Sequence, residues 1–265
     1  MQLLIDHKTG YSYSDPVDYA LQKVRLRPQT LALQHTQSWD IAITGGKLET
    51  HYTDHYGNHV DLVSIDPGAR SLSIRASGTV VTQPTSGVLG KVYGRAPLWH
   101  FQQQTPLTMP GPAIIDLARV IPQQSTLLDG LHALSAAILA AAPYQIGETH
   151  VRTAAEEALT GGLGVCQDHA QIFVAAARAA GIPARYVSGY LMMDDRVHQD
   201  ATHAWAEAHL DDLGWVGFDV SNGISPDQRY VRVAIGRDAR DAAPIEGLRM
   251  GAAAETLTVS LQVQQ

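Results

Sequence analysis

The stretch Gly161-Gly162-Leu163-Gly164-Val165-Cys166-Gln167-Asp168-His169-Ala170 sets the single cysteine of 265 residues between a glycine-rich loop and an apolar segment. From Gln167 to Ala180 neither glycine nor proline intervenes, alanine is abundant, and Gly181-Ile182-Pro183 supplies a stop, so a helix is expected with Cys166 at its start. At a helix N-terminus the unpaired backbone N–H groups and the positive end of the dipole favour an anion, which eases loss of the thiol proton. The thiolate is the reactive form. The glycines before it, Gly164 among them, would let a substrate carbonyl approach the sulfur and nearby backbone donors. A lone cysteine among alanines is also a common core filler, so its reading depends on its companions.

Two companions follow. His203-Ala204-Trp205-Ala206-Glu207-Ala208-His209-Leu210 alternates with period two, placing Ala, Ala, Ala and Leu on one face and His, Trp, Glu and His on the other. The small face suits a helix packed closely; the large face must meet a groove or another layer. Asp211-Asp212-Leu213-Gly214 turns the chain, and Trp215-Val216-Gly217-Phe218-Asp219-Val220 returns antiparallel with Asp219 near its end. For His203 and Asp219 to share a face the loop must hold an odd number of residues, or a bulge must shift the register. Gly214 is a natural left-handed residue for such a turn.

Cys166, His203 and Asp219 are the parts of a thiol acyl-transfer site. Cys166 would be the nucleophile and His203 its base, while Asp219 accepts the second imidazole N–H, fixes the tautomer and stabilises the imidazolium. The Cys166 backbone N–H is one oxyanion donor, and the indole N–H of Trp205 is a candidate for the second. Each residue has a plainer use. His203 could be a bonded core histidine, Asp219 could form an Asx turn in Asp219-Val220-Ser221-Asn222-Gly223, and Glu207 reads as a buried or half-buried carboxylate paired locally. One site explains the first three more economically than three separate accidents.

The elements that must position these residues divide into two styles. Through about Gln104 the text is strand-like: Leu3 to Tyr13, Ala20 to Leu26, Leu31 to Ile43, Leu48 to Tyr56, Val60 to Ile65 and Ser71 to Thr82, separated by turn residues. That alternation suggests an antiparallel β-sandwich over 1–104. The proline-rich Thr105-Pro106-Leu107-Thr108-Met109-Pro110-Gly111-Pro112 reads as a crossing into a second unit, 105–265. There, Ser125 or Thr126 can cap a helix with Leu127, Leu131, Leu134, Ile138 and Ala141 on one stripe, ended by Pro143. Thr153 and Glu156 suggest a capping box for a short helix through Leu159 that feeds the glycine loop. Ala184 to Met193 reads as a buried strand and 194–200 as a polar loop.

His51, His55 and His59 would line one face of a helix, but Gly57-Asn58 breaks any helix there, and as a hairpin the three do not converge. The polar loop carries carboxylates and a histidine but reads as solvated surface, so no metal and no cofactor is assigned.

Composition narrows the partners. A net charge of −7, with no run of Lys or Arg, argues against nucleic acid or an anionic membrane. A hydrophobic fraction of 45% provides for a sizeable core. One cysteine excludes an intrachain disulfide and fits a reducing compartment. Met1 to Lys8 lacks the basic start and apolar run of a signal peptide, so a cytoplasmic location is expected.

Gly164-Val165-Cys166-Gln167-Asp168, Gly181-Ile182-Pro183-Ala184-Arg185-Tyr186-Val187-Ser188-Gly189-Tyr190, His203-Ala204-Trp205 and Gly214-Trp215-Val216-Gly217-Phe218-Asp219 together resemble the bacterial transglutaminase-like superfamily. The likeness runs over about 105–245, including Gly236-Arg237-Asp238-Ala239-Arg240-Asp241-Ala242-Ala243-Pro244, and the first hundred residues resemble the β-rich region that accompanies this core. It implies an α+β protein with a papain-like core and carries nucleophile, base and orienting carboxylate onto Cys166, His203 and Asp219. Two positions depart: Gln171 stands where His is expected, and Val220-Ser221 where Pro-Thr is usual, which bears on loop shape and substrate fit. The expected activity is acyl transfer from an amide of a peptide or protein through a thioester, resolved by water as in a protease or amidase. The alternatives are cross-linking of glutamine to an amine, and a non-catalytic peptide-binding or assembly module.

Overall fold

Leu3, Ile5, His7, Thr9, Tyr11 and Tyr13 turn inward at every second residue of the first strand, and this alternation makes it the centre of a sheet with one covered face. A computed structural model describes residues 1–91, 95–251 and 253–265. In chain order the first half holds β1 (Gln2–Val17), β2 (Ala20–Val24), β3 (Gln34–Thr44), β4 (Gly46–Thr53), β5 (His59–Ile65), β6 (Ala69–Thr82) and β7 (Val88–Gly90). Helices α1 (Pro112–Ala118), α2 (Leu127–Ala141), α3 (Ala155–Gly161) and α4 (Cys166–Ala179) follow. The chain ends in β8 (Ala184–Leu191), β9 (His198–Gln199), β10 (His203–Leu210), β11 (Gly214–Phe218), β12 (Tyr230–Gly236), β13 (Ile245–Arg249) and β14 (Glu255–Gln264).

Three sheets result, ordered β3-β6-β1-β14-β9, β13-β2-β5-β4 and β12-β8-β10-β11-β7. The first two close over a core containing Tyr11, Val24, Val63, Leu72 and Ile74. The third carries the helices on one face, with Leu134 and Ile138 of α2, Ile172 and Phe173 of α4, and Ala206, Ala208 and Phe218 of the sheet in one cluster. Helix α4 is buried from Asp168 through Arg178, which is why it is alanine-rich all round: helices lie on one side and the sheet on the other.

The last two strands return to the first half, β14 pairing along β1 (Ile5 with Val263) and β13 along β2 (Val24 with Ile245). A division at residue 104 therefore parts these strands from the sheets they complete. Side chains reinforce the join. Asn58 Nδ2 donates to the Ile235 carbonyl (2.8 Å), Gln34 Nε2 to the Arg232 carbonyl (2.7 Å), and Tyr56 Oη to Asp241 (2.5 Å).

Two local expectations change. Glu156 does not form a capping box with Thr153: its carboxylate accepts from the N–H groups of Gly111, Ala113 and Ile114, capping α1, and α3 starts after Ala154 instead. That neighbour is invisible to a local pattern, as was α1 itself beside the prolines. The polar 194–200 segment contains β9, which pairs with β14. Among the described residues no helix is long and apolar enough to cross a membrane.

The β10–β11 turn meets the parity condition. Leu210 pairs with Gly214, leaving Asp211, Asp212 and Leu213 as an odd loop, and Gly214 is left-handed at φ +75°. A Cβ at Gly214 would also lie 2.2 Å from the Gly90 carbonyl oxygen of β7. Gly214→Ala should therefore cost at least about 1–3 kcal/mol of stability. An unchanged urea midpoint would contradict this account of the turn.

Candidate active site

Cys166 is the first residue of α4 and is half-buried, following Val165 in extended conformation. The helix start is held by Asp168, whose Oδ2 accepts from the Val165 N–H (2.9 Å) and from Thr149 Oγ1 (2.6 Å). A Cβ at Gly164 would sit 2.9 Å from the Asp168 Cβ, so this glycine makes room for the carboxylate that caps the helix. Gly162, left-handed at φ +74°, ends α3. Tyr144 bridges Gly164 in parallel, with Gln145 N donating to the Gly164 carbonyl at 2.8 Å, so the loop before the sulfur is pinned on both sides.

His203 opens β10 and Asp219 follows β11, on the same face of the hairpin. His203 Nε2 lies 2.6 Å from Asp219 Oδ2. The carboxylate also accepts from Tyr230 Oη (2.7 Å), Asn222 Nδ2 (2.7 Å) and Asn222 N (3.3 Å). The turn that was an alternative to the catalytic reading thus exists alongside the contact with His203, one carboxylate serving both. Asp219 is fully buried; burial pushes its pKa up, but the bonds from His203, Asn222 and Tyr230 prevail and hold it below the ordinary value.

Burial likewise disfavours charge on His203, yet hydrogen bonding and charge from Asp219 and Cys166 prevail and raise the ring to about 10. Asp219 and Cys166 therefore both bear on one imidazole. A carboxylate only accepts, so Nε2 carries its proton to Asp219 and Nδ1 is the nitrogen left for the sulfur. Such an arrangement favours an imidazolium, with the backbone N–H of Cys166 at the helix start as an oxyanion donor.

Trp205 stands behind this pair. Its ring stacks on His203 (centroids 6.3 Å apart, 28° between planes) and meets Tyr230 edge-on at 5.5 Å. It belongs to an aromatic cluster with Tyr56, Phe101 and Trp215, on the sheet face away from α4, so it supports the imidazole. Glu207, on the same face, is fully buried between Arg185 (2.5 Å) and Arg232 (3.0 Å), the local pairing expected for it.

Several positioning residues escaped the sequence reading. Tyr230, which holds Asp219 with Asn222 of the expected turn, lies in a strand that carried no chemical pattern. His169, one turn after Cys166, donates from Nε2 to the Ala142 carbonyl (2.7 Å) and accepts at Nδ1 from Ser221 Oγ (2.8 Å). Burial lowers its pKa, which suits a neutral ring that ties α4 to the Asp219 turn. Gln171, where the family pattern has His, donates to the Thr153 carbonyl at 3.2 Å and so anchors the approach to α3. Tyr144 is half-exposed beside the sulfur, whose charge contributes to its raised pKa after burial. His51, His55 and His59 lie in β4, the following turn and β5, with His55 packed on Tyr56 at 4.0 Å.

A thiol at a helix start, facing an imidazole and a carboxylate from two adjacent strands, is the architecture of a transglutaminase-like core. Residues 116–220 match the transglutaminase-like superfamily and residues 3–81 the bacterial transglutaminase-like N-terminal region. An uncharacterized protein of Mycobacterium tuberculosis is 31% identical over 274 residues, covering 92% of this chain and 86% of its own length. One from Mycobacterium leprae is 26% identical, covering 99% and 98%. A solved Cytophaga hutchinsonii protein named as a candidate cysteine protease shares the sheet-rich fold at TM-score 0.78 and 22% identity, over 100% of this chain and 91% of that one. The chain belongs to the bacterial transglutaminase-like superfamily.

Asp219→Asn removes the charge that keeps His203 protonated. Iodoacetamide alkylation of Cys166 at pH 7 should slow by about 10-fold or more. Alkylation at the wild-type rate, or a wild-type Cys166 no faster than free cysteine, would support a binding protein without catalysis.

Proposed function

We propose that the protein is a cysteine amidase or protease that transfers an acyl group from a peptide or protein amide through Cys166 to water. The Cys166 thiolate adds to the carbonyl carbon, and the oxyanion is met by the Cys166 N–H. The C–N bond then breaks as His203 gives the leaving nitrogen its proton, leaving a thioester. His203 next takes a proton from water, whose oxygen attacks the thioester; a carboxylate leaves and the sulfur is freed. Asp219 keeps the ring oriented and favours its charged form throughout.

The observation that carries this reading is the buried His203–Asp219 contact at 2.6 Å, on a strand whose Ala204 packs in one cluster with Cys166 at the start of α4. Solvent access supports water as the acceptor in this reading: Cys166 is half-buried and Tyr144 is 50% exposed. In the same reading the first two sheets, completed by β13 and β14, form a β-sandwich joined to a papain-like core, and the sandwich positions substrate rather than reacting with it.

Mass spectrometry of a glutamine-containing peptide, incubated with enzyme and excess primary amine, distinguishes the acceptors. Hydrolysed product should exceed the amine adduct, and the reverse would make the protein a cross-linking transglutaminase. Loss of all turnover in Cys166→Ser and His203→Ala is expected with either acceptor.

The pH profile has a defined sign. The imidazolium is the proton donor to the leaving nitrogen and keeps its proton up to about 10, so kcat/KM should hold through neutral pH and fall as pH rises through about 10. An alkaline limb near 6.5 would mean that Asp219 and Cys166 do not act on the ring.

A further inference from the structure

On the face of the third sheet opposite α4 lies a cavity of about 580 Å³, whose lining residues do not include Cys166, His203 or Asp219. That volume is in the range of a small-molecule site. Tyr56, Phe101 and Trp215 form aromatic walls, and Leu31, Leu98 and Ile235 add apolar surface. Among the described residues the charged lining is unequal: Arg185, Arg232, Lys91 and Arg95 bring positive charge and His209 a titratable ring, against one lining carboxylate, Asp211.

The two guanidiniums at its base are nearly inaccessible, Arg185 at 3% exposure and Arg232 at 5%, and they share a single buried carboxylate, Glu207. Two buried cations against one anion leave one positive charge uncompensated, and a buried unpaired charge is costly unless something answers it. The hydrogen bonding shows the same deficit. Arg185 Nε bonds Glu207 Oε2 at 2.5 Å, while Arg185 Nη2 has no hydrogen-bond partner among the described residues. Arg232 Nη2 reaches Oε2 at 3.1 Å, but its Nε, 3.0 Å from Oε1, is not aligned for a bond.

Stacking covers one side of the Arg185 guanidinium, whose carbon lies 3.7 Å from the Trp215 ring centre, but supplies no acceptor. The potential extends along the wall to His209. Burial lowers the pKa of that ring and Arg185 and Lys91 lower it further, opposed by Asp211 alone.

We propose that this cavity is a binding site for a small organic anion, a carboxylate or phosphate monoester with an aromatic or branched apolar body. Its head would pair with Arg185 and Arg232, and its body would lie on Trp215, Phe101 and Tyr56. The site does not depend on the chemistry assigned to Cys166.

Nitrogen-15 NMR of the full chain tests it, following the Trp215 indole and the His209 ring during addition of phenyl phosphate, benzoate or neutral benzyl alcohol. The anions should give saturable shifts with dissociation constants below about 1 mM. Benzyl alcohol should not. Arg185→Gln should weaken binding by about tenfold or more. Should that variant fail to fold, Lys91→Gln, an exposed position at the rim, should weaken it about two- to fivefold, with a shallower dependence on salt. Equal shifts from benzyl alcohol, no saturable shift from either anion, or wild-type affinity in the folded variants would overturn the proposal.

Discussion

The buried contact between Asp219 and His203 is the constraint on which the rest of the molecule turns. A carboxylate and an imidazole removed from water lose hydration, and each alone would sooner be neutral. Together, with Tyr230 and Asn222 completing the carboxylate's bonds, they form a charged pair that burial strengthens. The glycine loop and the helix start set where the Cys166 sulfur stands.

Placing that contact requires partners far apart in sequence. His203 comes from β10 and Asp219 from the end of β11, while Tyr230 opens β12 and Cys166 opens α4. The small face of β10 allows α4 to pack closely, and Ala204 shares a cluster with Ala170, Tyr186 and Cys166. The opposite face carries Trp205 behind the imidazole and the Arg185–Glu207–Arg232 group farther along. Rigidity on both sides of one strand thus keeps a short hydrogen bond aligned. Strands β13 and β14 then tie the chain's end into the first two sheets.

Much of this was legible because it was periodic or punctuated. The alternation of 203–210 announced both faces of β10, Gly214 announced a left-handed turn residue, and Gly181 with Pro183 announced the end of α4. Thr126 was readable as a cap, and its side chain does accept from Asp129 N. What could not be read were contacts with no local signature. Glu156 matched a capping box at its own helix, yet its carboxylate found better donors in the unpaired amides of α1. Tyr230 and Ser221 gain their roles only when the sheet brings them to Asp219 and His169. The returns of β13 and β14 are long-range pairings, which local propensity does not specify.

The central claim is that the His203 ring is an imidazolium at neutral pH. Nitrogen-15 NMR of the ring, assigned by comparison with His203→Gln, reads this state directly. The account predicts two protonated ring nitrogens at pH 8, with the transition to a neutral ring near 10. A neutral ring at pH 8, titrating near the ordinary value of 6.5, would contradict it.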